Sequence, residues 1–317
     1  MLALEKAILK KLESISEMIC GDFTNPDTFK ILKQKYFEKQ CEFLIATPPC
    51  QGMSSAGKRN NFDKRNSLII NTIDFIKTTK PKYILIENVP QILKTTIIYN
   101  NTNILIPEFI KQELEPLGYQ IKYQILDSAD YYTPQHRKRA IFIITNQNKK
   151  LCFPPPQPHI NVEEAIGTLP SLEAGQSSAI AYHYAKKHNQ NHILWMQNTP
   201  TGKSALDNHI FYPQKNNRKI KGFKTTYKRM QWDKPAPTIT MANGSISSQN
   251  NVHPGRKINN GTYSDARVLT LLELFILSGL PSNYAPPKWA SDNLVRQVLG
   301  ESFPPKFAKE IVKELIK

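Results

Sequence analysis

Apolar side chains recur along the first half of the chain with two alternating periods. From Leu2 to Met18 they fall at Leu4, Ala7, Ile8, Leu12 and Ile15, the spacing of one buried helix face. Ile19-Cys20 follows as a short strand ending at Gly21-Asp22. Thr28 to Phe37 predicts a helix and Phe43 to Ala46 a strand. Asn66 to Lys77 predicts a helix with Leu68, Ile69, Ile73 and Ile76 turned inward. Tyr83 to Ile86 is continuously apolar, the pattern of a strand covered on both faces. Ile104 to Leu117 reads as a helix, and Tyr119 to Leu126 and Ala140 to Thr145 as strands. This alternation predicts an α/β fold with an open, mostly parallel sheet. In such sheets ligands bind beyond the carboxyl ends of the strands. Asp22, Cys50 and Glu87 each follow such an end.

From Phe153 to Pro158, FPPPQP, the periodicity weakens, and Asn, Lys, His and Tyr become frequent. Helical spacing returns over Leu269 to Leu277 and Leu294 to Ile316, where Phe307, Ala308, Ile311, Val312 and Leu315 share one face. The pattern divides the chain into residues 1–150, a smaller domain at 151–265, and C-terminal helices at 266–317 that return to the first domain.

The composition narrows the class. Hydrophobic residues make up 40% and charged residues 21% of 317, which excludes a disordered chain. No apolar run reaches the ~18 residues of a membrane span, and charges at Glu5 and Lys6 argue against a signal peptide. Cys20, Cys41, Cys50 and Cys152 form no CxxC pair, so neither a disulfide framework nor a zinc site is expected. Reduced thiols suit a cytoplasmic protein. The net charge is +16, and residues 186–234 hold 11 Lys/Arg against 2 Asp/Glu. That density suits a polyanionic partner, most simply nucleic acid, although a solvated lysine-rich face has the same composition.

Three short stretches carry candidate chemistry. Pro49-Cys50-Gln51 is either a nucleophile at a strand end or a structural turn. Glu87-Asn88-Val89 is either an acid at a strand end or a helix cap. Gln135-His136-Arg137-Lys138-Arg139 is either an anion fork or a solvated basic run. Taken with DKPAPTIT, RVLTLLELFILSGLP and GESFPPKFAKEI, the stretches PPCQGMSS, ENVP and QHRKR occur in an order that resembles the cytosine-C5 DNA methyltransferases. The resemblance runs from about residue 20 to the C-terminus, apart from the basic middle.

The resemblance implies a Rossmann-like S-adenosylmethionine-dependent methyltransferase sheet, its first strand missing, with a smaller target-recognition domain and DNA in the cleft between them. Cytosine C5 is a poor nucleophile, and a thiolate adding at C6 activates it. Cys50 matches that nucleophile, Glu87 the acid facing N3, and Arg137 and Arg139 the arginines of the QxRxR motif, whose planar forks suit the base O2 and nearby anions. The base must be flipped out of the stack, with Gln51 to Ser55 as a closing loop. The resemblance also implies S-adenosyl-L-methionine as cofactor, near Asp22, Pro49, Leu68 and Glu301. Double-stranded DNA would meet Gln51, Ser54, Arg218, Lys219, Lys228 and Arg229, with Lys221 and Lys224 as further phosphate contacts and Asn216 and Asn217 able to read adenine edges. A bacterial restriction-modification system is the implied setting. A truncated or split subunit acting only as a DNA-binding or accessory protein is the alternative, and an RNA-methylating relative a weaker one.

Two departures qualify the match. The family's cofactor loop is a Phe-x-Gly-x-Gly-Gly block, yet these 317 residues contain no Gly-x-Gly. By family spacing the loop falls upstream of Met1, which leaves three readings: a small partner polypeptide that supplies it, a truncated product inactive by itself, or a non-catalytic DNA-binding subunit. At Gly300-Glu301 the family has Gly-Asn, and at Leu280 it commonly has Phe.

Overall fold

The computed structural model describes residues 17–49, 68–281 and 284–317. Nearly all of the helix expected from Leu2 to Met18, and Cys50, Gln51 and Ser54, lie outside that range. The described chain forms two compact units. One comprises 17–127, 138–155 and 309–317, the other 128–137 and 156–308. Residues 266–308 cluster with the basic region and 309–317 with the sheet.

The first unit is built around a sheet. Its elements are α1 (Pro26–Glu38), β1 (Phe43–Ala46), α2 (Leu68–Thr79), β2 (Tyr83–Asn88), β3 (Thr96–Tyr99), β4 (Thr102–Leu105), α3 (Ile106–Leu114), β5 (Gln120–Asp127) and β6 (Lys138–Thr145). The main sheet has the order β1-β2-β6-β5. Among the described strands β1 and β2 pair in parallel, Ala46 with Ile86, and β6 runs antiparallel between β2 and β5, so that β1, β2 and β5 share one direction. The departure from a parallel sheet is confined to β6 among the described strands. The 128–137 connection is too short for a parallel crossover, which takes about a dozen residues or more.

Ile84 and Ile86 of β2 and Ala140, Phe142 and Ile144 of β6 pack with Ile69, Ile73 and Ile76 of α2 and Phe109 and Ile110 of α3. The α2 set repeats at i, i+4 and i+7, the stripe that buries one helix face. α1 has no buried residue. It leans on α2 through aromatic contacts, Phe29 to Phe75 at 5.5 Å.

Three local expectations change. Ile19-Cys20 forms no strand. Ile104 and Leu105 are not helical but close a hairpin, β3 with β4, whose Asn100 and Asn101 have φ of 47° and 60°. Two consecutive left-handed residues make the tight turn that matches strand twist, and the Asn-Asn pair was its signal. The single helix expected from Leu294 to Ile316 is broken, because Pro304-Pro305 restricts the backbone before it and removes two donors.

The second unit has little regular structure: α4 (Val162–Ile166), α5 (Gln190–Gln197), the two-residue strands β7 (Gln214–Lys215) and β8 (Arg218–Lys219), α6 (Leu271–Leu277) and α7 (Asp292–Glu301). The final helix, α8 (Pro305–Ile316), starts in this unit, and its residues from Lys309 onward group with the sheet. No helix among the described residues is long and apolar enough to cross a membrane.

Two apolar clusters, one around Leu271, Leu274 and Val295 and one around Trp195, Val252 and Val268, make the core of the second unit. A buried charge network accompanies them. Arg267 donates both Nη atoms to Glu273, at 2.8 and 2.9 Å, and Nη2 also to Asp265 Oδ1 at 2.8 Å. Glu273 closes a capping box on α6, accepting from Thr270 N at 2.7 Å. His253 lies 3.7 Å from both Asp265 and Glu273, and its Nδ1 accepts from Gly255 N at 3.1 Å.

Removing one partner of a buried pair strands the other charge. Glu273→Ala is expected to destabilise this unit by about 3–5 kcal/mol in urea unfolding. Burial pushes the Glu273 carboxyl up, but Arg267 beside it outweighs burial and leaves it lowered to about 2. Burial lowers His253 to about 4. Both folded values lie below the unfolded ones, about 6.5 for His and about 4.3 for Glu. The stabilisation is therefore complete above the unfolded values and lost as pH falls through the folded ones. The urea midpoint is expected to drop between pH 7 and pH 4 as His253 takes up its proton, and further toward pH 2 with Glu273. A midpoint flat from pH 7 to pH 4 would contradict this account of His253.

Candidate active site and nucleic-acid interface

β1 and β2 end side by side because Ala46 is in register with Ile86. β2 continues through Glu87 and Asn88, so two polar residues stand at the carboxyl edge of the parallel pair. Asn88 is 3% exposed. Its Nδ2 donates to Pro48 O at 3.0 Å, and its Oδ1 accepts from Val89 N at 2.9 Å. It thereby fixes the Thr47-Pro48-Pro49 segment that leads into Cys50.

Glu87 faces Ile141 across the antiparallel β2–β6 pair. Arg139 lies two residues from Ile141 on the same strand face, which makes it a diagonal neighbour of Glu87. Arg139 Nε meets Glu87 Oε1 at 2.7 Å, with both side chains largely shielded. Arg139 Nη1 donates to Lys138 O at 2.8 Å, which fixes the plane of its fork. Sheet register therefore sets the pair.

Arg137 stands in a different setting. It is 4% exposed. Nη1 donates to Ile239 O at 3.2 Å, and Nη2 to Gly300 O and Glu301 O, each at 3.1 Å. The last two carbonyls end α7, so Arg137 caps that helix with positive charge. A Cβ on Gly300 would lie 2.3 Å from Met241 N, which shows how closely α7 sits on the 240–241 backbone. Gln135 assists: its Nε2 donates to Leu277 O at 3.4 Å, and its Oε1 accepts from Ile239 N at 3.1 Å. Thr238 Oγ1 donates to His136 O at 2.6 Å. Sequence reasoning passed over Gln135 and Asn88 as positioning residues. Their signal was a carboxamide beside each charged candidate.

Of the cofactor candidates, Asp22, Pro49 and Leu68 belong to the sheet unit and Glu301 to the other. Asp22 is exposed, and its Oδ1 accepts from Thr24 N and Thr24 Oγ1, both at 2.8 Å. These bonds hold its carboxyl below the usual range, so it is an anionic acceptor. Phe23 anchors the segment, stacking on Phe29 at 5.8 Å and meeting Phe75 of α2 at 5.8 Å. Leu68 is the first residue of α2 and is half-buried, while Pro49 is exposed. The Glu301 side chain is exposed.

The DNA-facing candidates divide. Arg218 and Lys219 are exposed on β8. Lys228 is half-buried and lines a cavity of about 450 Å³ with His136, Gln231, Lys234, Gln249 and Asn250. Arg229 leaves the set, because it is fully buried and its guanidinium donates to the carbonyls of Met196, at 2.9 Å, and His253, at 2.8 Å. Those carbonyls satisfy the charge inside the fold, so no arm reaches a phosphate. Gln51 and Ser54 lie outside the described residues.

The family model for C-5 cytosine-specific DNA methylases matches residues 4–317. The chain is 45% identical to the Type II methyltransferase M1.HgaI of Avibacterium volantium, over 97% of this chain and 88% of that one. It is 30% identical to the Type II methyltransferase M1.HphI of Haemophilus parahaemolyticus, over 88% of this chain and 69% of that one. Among solved structures it resembles the methyltransferase EhMeth of Entamoeba histolytica, with a TM-score of 0.64 and 17% identity over 99% of this chain and 86% of that one. It also resembles a putative prophage-encoded DNA modification methyltransferase of E. coli, with a TM-score of 0.60 and 20% identity over 93% and 84%. The two solved structures show the methyltransferase fold, and the family model with the two Type II relatives shows that this chain belongs to the C-5 cytosine-specific DNA methylase family.

Proposed function

We propose that this chain methylates C5 of a flipped-out cytosine within a specific duplex DNA sequence, as the modification enzyme of a restriction-modification system. The Type II relatives support that setting. The observation that carries the chemistry is the Glu87–Arg139 pair at 2.7 Å, at the strand edge where Asn88 holds the segment leading into Cys50.

In this reading the Cys50 thiolate attacks C6 and forms an Sγ–C6 bond. Glu87 offsets the charge on the ring at N3, and Arg139 orients Glu87 while its fork faces the base O2. C5 becomes enamine-like and nucleophilic. Once C5 carries the methyl, loss of the C5 proton returns an electron pair to the ring and expels the thiolate. Arg137 acts as a positioning residue, through its bonds to the end of α7.

S-adenosyl-L-methionine supplies an activated methyl when bound. The anionic, outward Asp22 suits an amine or hydroxyl donor of that group, with Pro49 and Leu68 as apolar neighbours.

Labelled-methyl transfer to duplex DNA tests the chemistry. Cys50→Ser is expected to lower transfer by at least about 10³-fold with DNA binding kept, since a hydroxyl is far less ionised than a thiol. Arg139→Lys is expected to lower kcat by about 10–100-fold, because an ammonium cannot hold a carboxylate and face a base at once. Retained transfer by Cys50→Ser would remove the assigned nucleophile.

Calorimetry tests the cofactor assignment. Asp22→Asn is expected to weaken S-adenosylmethionine binding by about tenfold, the loss of one charge-assisted hydrogen bond. Unchanged binding by Asp22→Asn would remove the assignment of its carboxylate to the cofactor.

A further inference from the structure

Residues 208–232 contain Lys215, Arg218, Lys219, Lys221, Lys224, Lys228 and Arg229 and no Asp or Glu. The same stretch holds the two most exposed large hydrophobic side chains among the described residues, Phe223 at 78% and Ile210 at 77%. Neither is left loose by the backbone. The β7–β8 hairpin pairs Gln214 with Lys219 and Lys215 with Arg218, and Asn216 and Asn217 close it at φ of 50° and 59°. Its base is tied by Ile220 N to Pro213 O at 3.0 Å. Lys219 Nζ sits 4.8 Å over the Tyr212 ring and donates to Asn208 O at 3.3 Å. Phe223 then opens a turn in which Thr226 N and Oγ1 both donate to its carbonyl, at 2.9 and 2.8 Å. Thr226 bridges to Gln249, and Asn250 N donates to Thr225 O at 2.7 Å. Gln249 and Asn250 also line the cavity that holds Lys228.

We infer that Phe223 is an apolar wedge that packs against the base steps of duplex DNA, with Lys221 and Lys224 holding the phosphates on either side of it. This rests on the DNA reading above and names the element that discriminates sequence. A solvated lysine face needs no phenyl ring on a hydrogen-bonded turn. Phosphates explain the cations alone. A ring that emerges between two cations in an acid-free stretch finds its apolar partner in a base face or a thymine methyl, and such wedges unstack base steps. The carboxamides of the adjoining cavity suit base edges.

The full chain is used to select its preferred duplex from a randomised pool by binding, so the result does not depend on methyl transfer. Affinity for that duplex and for a scrambled one is then read by fluorescence anisotropy across a salt series. Lys221→Gln/Lys224→Gln is expected to reduce the slope of log K against log salt by about 0.9 for each phosphate lost, equally for both duplexes. Phe223→Ala is expected to keep the slope and to lower the preference for the selected duplex by about tenfold or more, with Phe223→Leu restoring part of it. An unchanged preference in Phe223→Ala overturns the wedge. So does a concentration-dependent self-association that disappears in Phe223→Ala while preference stays, since the patch is then a protein contact. A wild-type chain that binds neither duplex overturns the DNA reading itself, whereas binding without methyl transfer bears only on the catalytic assignment.

Discussion

A guanidinium taken out of water must have its N–H groups met by acceptors, or it costs several kcal/mol. That constraint organises the second unit. Arg229, Arg267 and Arg296 are among its largest fully buried side chains. Arg229 gathers carbonyls from Met196, Tyr263, His253 and Asp265, segments that share no extended sheet. Arg267 gathers two carboxylates and the carbonyl of Leu172. Arg296 joins Asp292 on its own helix to Asn243, although its Nη2 is buried without an acceptor among the described residues. Where ladders are two residues long, buried arginines connect the backbone instead.

The sheet unit is ordered by ladder register. Ile84, Leu85 and Ile86 have no exposure, nor do Ala140 through Ile144. Burial on both faces leaves little freedom to slip, because a one-residue shift would exchange the faces. The Glu87–Arg139 pair inherits that precision. Arg137, two residues away, belongs to the second unit and takes its place from three carbonyls of that unit. One short motif thus carries two arginines with separate duties.

Much of the sheet unit was legible in the sequence, because its strands are apolar runs and α2 keeps a clean helical stripe. The direction of β6 was not, since pattern gives a strand's faces and not its sense. The β3–β4 hairpin was masked by a neighbouring helix, whose apolar spacing extends smoothly back into Ile104. The second unit was hardest to read. Its order comes from isolated bridges and from arginines that look, in sequence, like any other basic residue. Arg229 sits in a run with Lys228 that reads as phosphate-binding, and only burial separates the two. Motif order located Glu87 and Arg139, while the distinct environment of Arg137 required coordinates.

The β7–β8 hairpin is closed by two asparagines and tied at its base by Pro213, Tyr212 and Asn208. None of these ties involves the buried arginines. The residues from Gln214 to Lys219 therefore form an exchangeable cassette. Its length and side chains can drift without loosening the scaffold that carries it. Substitution or lengthening there is absorbed locally, at little cost to the folding of the rest of the unit.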